Sequence, residues 1–331
     1  MINLICRLFA CALSAAVMLP QTAFADCYQL MLDGRKSLFY FAEHEIDKGD
    51  PMTEYAVVWI HGLGGGNSDG AKELRKKLAA LPVNGKIYCI APSFNESKHL
   101  RNPAMPGKTL LWDKDNWRGG GRASNGCGIS SFTLVDLLCG KLADREKYPR
   151  LRHILIAGFS AGGQFVNRYV AVGNPPQKEG VKYAFAVGGP SSCLYIDIRR
   201  FQDGCFSIPA NPPKQFDHWR NGLEKRNHYA RKLSQKQVFD NLASRFTLYM
   251  CGSNDTGEKQ LDKSEGSMLQ GKTRYDRFET YRKYIALFPQ WQKMTRFVVV
   301  PNAGHDKKLV MFEHPEFMAL VMGNPVRDGM E

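Results

Sequence analysis

The chain has 331 residues, of which 44% are hydrophobic and 23% charged, enough for a full core in one large domain or two smaller ones. This balance, without a fixed-period repeat or low-complexity tract, excludes disordered, collagen-like and repeat classes. The formal charge is +13, but no nucleic-acid-binding motif accompanies it, so no nucleic-acid partner is expected; a solvated basic surface, an anionic envelope surface or an acidic substrate remain to account for it.

The first 25 residues stand apart. Arg7 is their only charge, "LFACALSAAVML" is continuously apolar, Pro20 breaks the run, and Ala23-Phe24-Ala25 gives the small-x-small pattern of a cleavage site. That order predicts a signal peptide over 1–25, export to a periplasm or beyond the cell, and a mature N-terminus at Asp26. Asp26 before Cys27 does not suit lipoprotein processing. No later stretch is long and apolar enough to span a bilayer, so after signal removal the chain is not expected to be an integral membrane protein. Residues 26–331 are expected to form a single domain.

Export leaves seven cysteines in an oxidising compartment. Cys193 with Cys205, and Cys127 with Cys139, close short loops and are the expected disulfides. Cys89 and Cys251 lie inside apolar strand-like runs and are expected to be buried free thiols. No C-x-x-C pair is present, so a cysteine-based zinc site is not expected.

"CYQLMLDG" and "KSLFYFAEHE" predict two strands around a turn at Asp33-Gly34. Six more strands are predicted within 54–62, 86–94, 153–160, 183–192, 245–255 and 296–305. They are apolar throughout, as strands covered on both faces are. Helical patterns over 69–81, 130–148, 161–173 and 273–288 separate them. Strands alternating with helices imply a mostly parallel sheet of eight strands with helices on both faces. Two connections, 95–130 and 193–244, are too long for one helix. Both follow the C-terminal ends of strands, where an open α/β sheet binds its ligand. The second is rich in proline, aromatic and basic residues and is predicted to be a cap insertion. Tyr195, Phe201, Phe206, Phe216, Trp219 and Tyr229 are its candidates to line an acyl pocket. Arg199, Arg200, Lys214, Arg220, Lys225 and Arg226 are its candidates to face an anionic substrate or surface.

"GFSAGG" sets Ser160 between glycines two before and two after, with a strand ahead and a helix behind. A turn from strand to helix within a residue or two has no room for side chains at Gly158 and Gly162. It lifts the serine hydroxyl above the sheet edge and aims the helix N-terminus at any anion formed there. The N–H of Ala161 is one expected oxyanion donor. "WIHGLGGG" ends an earlier strand in a His-Gly start and a glycine run. Leu63 is its expected second donor, and Gly64 the next candidate. Gly64, Phe159 and Trp219 are further candidates for substrate contact.

A nucleophilic serine needs a base and an orienting acid, in the chain order Ser, Asp or Glu, His. His305, in "VVVPNAGHD", follows the last strand. Asp255, in "GSND", follows the preceding one. Glu258 and Asp262 are fallback acids, and Asp306 is too near His305 in sequence. The expected chemistry is attack on a carbonyl by Ser160, proton transfer to His305, orientation of the imidazole by Asp255, and hydrolysis of an acyl-enzyme, with no metal or organic cofactor.

"HGLGGG", "GFSAGG", "GSND" and "NAGHD", in this order and each after a strand, make the chain resemble the α/β-hydrolase superfamily over most of 28–323. "SAGGQFVNRY" is similar to the elbow of secreted esterases and of proteins grouped with poly(3-hydroxybutyrate) depolymerases. The resemblance implies an α/β-hydrolase fold and a serine hydrolase; the site chemistry leads us to expect a small-molecule or polymeric ester as substrate. A serine peptidase or acyltransferase on the same residues, or an inactive binding protein of the same fold, are the alternatives.

Overall fold

In the computed structural model, which describes residues 26–32, 36–63, 69–81, 83, 86–96, 109–114, 116–125 and 128–324, the apolar runs become one eight-stranded sheet. Its strands are β1 (Asp26–Met31), β2 (Ser37–Ala42), β3 (Tyr55–Ile60), β4 (Ile87–Pro92), β5 (His153–Phe159), β6 (Lys182–Gly188), β7 (Thr247–Gly252) and β8 (Thr295–Val300). They lie in the order β1-β2-β4-β3-β5-β6-β7-β8. Only β2 runs against its neighbours; every other pairing is parallel.

Successive side chains of a strand leave opposite faces, and β3 shows why these runs are apolar throughout. Ala56, Val58 and Ile60 enter one core with α2 (Ser131–Leu142), α3 (Ala161–Val172), α4 (Gln235–Ser244) and α6 (Arg274–Ile285), the last numbered after the short α5 (Glu265–Met268). Tyr55, Val57 and Trp59 enter a second core. There they meet Leu74 of α1 (Asp69–Leu78), and Phe317 and Leu320 of α8 (Pro315–Val321), which follows the short α7 (Pro289–Gln292). Each fully buried valine or leucine contributes about 1.5–3 kcal/mol over an exposed one. A polar residue on either face of β3 would therefore be selected against.

The helix expected over 130–148 is shorter. Ser130 caps it by accepting from the Phe132 N–H at 3.1 Å, and it ends at Leu142. Beyond that, the Asp144 carboxylate accepts the Glu146 N–H at 3.0 Å and turns the chain; a short acidic side chain competing for backbone donors ends helices. The connection 95–130 holds a two-residue parallel ribbon, Asn95–Glu96 with Leu111–Trp112, and a 3₁₀ turn at Asn116–Gly119. The connection 193–244 holds a small hairpin, Arg200–Gln202 with Cys205–Ser207, a 3₁₀ turn at Ala230–Lys232, and α4.

The expected Cys193–Cys205 disulfide is not formed. Cys193 is a buried free thiol in the core, whereas Cys205 is free and exposed on the surface hairpin. Closeness in sequence misled here, because the chain dives into the core at Cys193–Ile196 before the hairpin emerges. Cys139 is also a buried free thiol on α2; its expected partner Cys127 lies outside the described residues. Cys89 and Cys251 are buried and free, as the strand pattern predicts. The expected signal peptide, the Asp33-Gly34 turn and Gly64 also lie outside the described residues. Among the described residues, no helix is long and apolar enough to cross a membrane.

Candidate active site

Ser160 stands between the end of β5 and the first residue of α3, at φ 59° and ψ −116°. A non-glycine residue in that region is strained, by about 1–3 kcal/mol. The surroundings leave no other arrangement. A Cβ at Gly158 would come within 2.6 Å of the Gly162 carbonyl group, and one at Gly162 within 2.1 Å of the Ile60 carbonyl oxygen. At Gly163 it would lie 2.4 Å from the Gly188 carbonyl oxygen. The Ser160 N–H donates to that same oxygen at 2.9 Å, tying the elbow to the end of β6. The Ser160 hydroxyl does not cap α3 and is partly exposed.

Ala161 opens α3 and is buried; as a first-turn residue its N–H has no partner within the helix. The β3 loop runs alongside. A Cβ at Gly62 would lie 3.7 Å from the Phe159 carbonyl oxygen and 3.9 Å from the Ser160 Cβ. His61, buried just before it, pins the loop. Its Nδ1 lies 2.7 Å from the Gly62 carbonyl oxygen, and its Nε2 accepts the Phe94 N–H at 3.0 Å, which makes Nδ1 the protonated nitrogen. Leu63 follows on the exposed side.

The loops after β7 and β8 interlock. A Cβ at Gly252 would sit 2.1 Å from the Ala303 carbonyl oxygen. The Asn254 N–H donates to that oxygen at 2.9 Å, and the Ser253 N–H to Val300 at 3.0 Å. This brings the His305 Nδ1 to 2.6 Å from Oδ2 of Asp255. Asp255 is buried and His305 partly exposed. A carboxylate only accepts, so Nδ1 carries the proton and Nε2 is left as the basic nitrogen. The imidazole packs on Phe159 with ring centres 4.7 Å apart, and its Cε1 lies 3.2 Å from where a Gly189 Cβ would be. Phe159 precedes Ser160 and Gly189 follows the residue that binds the Ser160 N–H, so imidazole and elbow share one small wall.

The other candidate acids are engaged elsewhere. Glu258 is an exposed partner of Lys263, Asp306 caps the turn at Lys308, and Asp262 bonds Ser192 and the Ser264 N–H. Among the described histidines, His153 starts β5, His218 sits 3.8 Å from Glu224, and His314 caps α8.

Sequence reasoning missed Arg274. Its guanidinium lies 3.5 Å from Oδ1 of Asp255, with both side chains buried. It also donates to the Gly257 and Lys259 carbonyls at 3.2 and 2.7 Å. Arg274 is the first residue of α6, where the helix dipole disfavours a cation. A basic residue in that place was the available signal.

The insertion is closer to the core than its composition implied. Tyr195 is fully buried against Tyr281 and Tyr284, and Tyr229 is buried on Phe132 with its hydroxyl donating to Asp136 at 2.6 Å. Neither lines a pocket by the elbow. Arg200 does not face solvent; it is buried in an ion pair with Asp217 at 2.8 Å. Trp219 is partly buried and donates from Nε1 to the Gly119 carbonyl at 2.8 Å, which docks the insertion on the 3₁₀ turn after β4.

No protein-family model matches the sequence, and no curated protein matches it. Solved structures do. Poly(aspartic acid) hydrolase-1 from Sphingomonas sp. KT-1 superposes with a TM-score of 0.58 at 18% identity, over 86% of this chain and 94% of that one. The poly(3-hydroxybutyrate) depolymerase LpqC from Bordetella parapertussis gives 0.55 at 18% identity, over 85% of each chain. With the strand order and the single reversed strand β2, these similarities establish that the chain has the α/β-hydrolase fold.

Proposed function

We propose that the protein is an exported serine hydrolase that cleaves carboxylic esters through Ser160, His305 and Asp255. The observation that carries this reading is the 2.6 Å bond between His305 and Asp255, on loops that adjoin a strained serine at a strand-to-helix elbow. In this mechanism Nε2 of His305 takes the hydroxyl proton as Oγ of Ser160 bonds to the ester carbonyl carbon. The carbonyl electron pair moves onto oxygen, where the N–H groups of Ala161 and Leu63 receive it. The imidazolium gives its proton to the leaving alcohol as the C–O bond breaks, and water then releases the acid from the acyl-serine by the same steps. Asp255 supplies tautomer control and charge, and Arg274 holds that carboxylate in place. Phe159 and Trp219 contribute apolar surface to the substrate. The basic surface of the exported protein favours residence near an anionic envelope.

The decisive assay sets p-nitrophenyl esters of graded chain length beside peptide anilides. Turnover of the esters with the anilides intact is the expected result. Cleavage of anilides alone would make the protein a peptidase, and turnover of neither would remove the proposal.

A further inference from the structure

The far edge of the sheet, where the parallel strands begin, carries a groove that the proposed catalysis does not use. It lies where β5 and β6 start and where α4 passes the chain to β7, and its volume is about 640 Å³, within the range of small-molecule sites. β5 runs from His153 at this groove to Phe159 beside Ser160, so the two places lie roughly 20 Å apart along one strand.

The charge of the groove is one-sided. Lys182 and Arg245 line it, and no aspartate or glutamate does. Lys182 opens β6 and is exposed. Among the described residues, no ion pair or hydrogen bond engages its ammonium group. Arg245 gives Nη1 to the Val170 carbonyl oxygen at 2.7 Å, and its side chain makes no other hydrogen bond among the described residues. Asp136, whose charge reaches Arg245, accepts from the hydroxyls of Tyr169 and Tyr229 at 2.6 Å each and does not line the groove. An anion in the groove therefore meets cations that no carboxylate of its walls neutralises.

Apolar surface adjoins these cations. Tyr183, Phe246 and Met294 are part of the wall. Tyr183 spends its one hydroxyl proton on the Pro176 carbonyl at 2.8 Å, so its ring is what remains for a ligand. His153 also lines the groove. It is only 5% exposed, and its Nε2 is buried without a hydrogen-bond partner among the described residues. Native proteins keep few such atoms, and this one belongs to a groove wall.

We propose that this groove binds an amphiphilic carboxylate, its anionic head on Lys182 and Arg245 and its hydrocarbon body against Tyr183, Phe246 and Met294. A charged donor paired with a carboxylate makes a stronger hydrogen bond than neutral groups do, and the apolar wall selects organic anions over inorganic ones. The site is separate from Ser160 and does not depend on the catalytic reading.

The test is calorimetric titration of octanoate into the full chain, with octanamide as the neutral control and inorganic phosphate as the control for charge alone. Lys182 is exposed and unpaired, so Lys182→Glu and Lys182→Gln should melt as the wild type does. Support is saturable octanoate binding that weakens as salt rises, persists in Lys182→Arg, and falls about tenfold or more in Lys182→Glu and less in Lys182→Gln, with octanamide and phosphate each weaker by about tenfold or more. Octanamide or phosphate binding as tightly as octanoate, octanoate binding that Lys182→Glu leaves unchanged, or no octanoate binding overturns the proposal. Ester turnover by Lys182→Glu should match the wild type; loss of turnover together with loss of octanoate binding would place the octanoate at the Ser160 site and also overturn it. Octanoate binding in a protein that hydrolyses no ester would keep the groove and refute the catalytic reading alone.

Discussion

The elbow edge of the sheet and the insertion at 193–244 are held in place by different means. At the elbow, backbone holds backbone. Gly158, Gly162, Gly163 and Gly252 each admit a neighbouring chain at a distance no side chain permits. Ser160 and the Asp255–His305 pair hang on that frame. In the insertion, side chains do the holding. Arg200 reaches Asp217, Tyr229 reaches Asp136, and Trp219 reaches Gly119. A frame made of glycines leaves short motifs, whereas a frame made of long-range side-chain bonds leaves only a composition.

This contrast breaks most readily at Asp255. If the elbow edge is a catalytic frame, Asp255→Asn should lower kcat for ester hydrolysis on the order of 10⁴-fold by giving His305 the wrong tautomer, far beyond any stability lost by leaving the buried Arg274 without its carboxylate. Steady-state kinetics and a thermal melt on the same preparation check this; near-normal kcat would detach Asp255 from the chemistry.

In the insertion the same kind of change should act on stability. Asp217→Ala leaves the buried Arg200 cation without its carboxylate, which should cost about 3–5 kcal/mol in denaturant unfolding. For the same reason, exchanging 208–232 for a short linker is expected to unfold the protein.

Arg274 joins the two regimes, a side-chain bond serving the glycine-built edge. Arg274→Met should lower kcat by about tenfold, because the buried Asp255 loses the cation that holds it against His305. Arg274→Lys should restore most of that loss. A merely structural arginine would lower the yield of folded enzyme and leave the kcat of the folded fraction where it was.

Asp262 offers an effect that depends on pH. Burial pushes its carboxyl up, but the Ser264 N–H and hydroxyl, with Arg168 and Arg118, outweigh that and hold it at about 2 against an ordinary 3.8. A carboxylate lowered by folding stabilises the fold above its unfolded pKa. That stability, about 2 kcal/mol here, is lost as pH falls from near 4 through 2. Asp262→Asn should therefore be less stable than wild type at pH 7, with the gap closing in acid. Urea midpoints at both pH values measure it.

What was legible in the sequence divides along the same line. The strands could be read because both faces of the sheet are covered, which leaves β3 apolar throughout and β5 apolar after His153. The elbow position of Ser160 and the meeting of Asp255 with His305 could be read because each residue follows a strand in a fixed order. The disulfide expected at Cys193 and Cys205 failed because loop length says nothing of depth: one thiol is in the core and the other on the surface. Tyr195 and Arg200 were misjudged for the same reason. Aromatic and basic residues look alike in a sequence whether they cover a pocket or, as here, pack on Tyr281 and pair with Asp217. Buried hydrogen bonds from Arg118 to Gln164, from Gln164 to Ser192 and from Ser192 to Asp262 join residues that no local pattern connects.

The central claim is that Ser160 is a nucleophile activated by the His305–Asp255 pair. Fluorophosphonate labelling of the intact protein, followed by mass mapping of the modified peptide, tests it most directly. The account predicts one adduct, on Ser160, formed in step with loss of esterase activity, absent in Ser160→Ala and slowed by orders of magnitude in His305→Ala. A protein that remains unlabelled, or that is labelled at a different serine while Ser160→Ala keeps its activity, would contradict it.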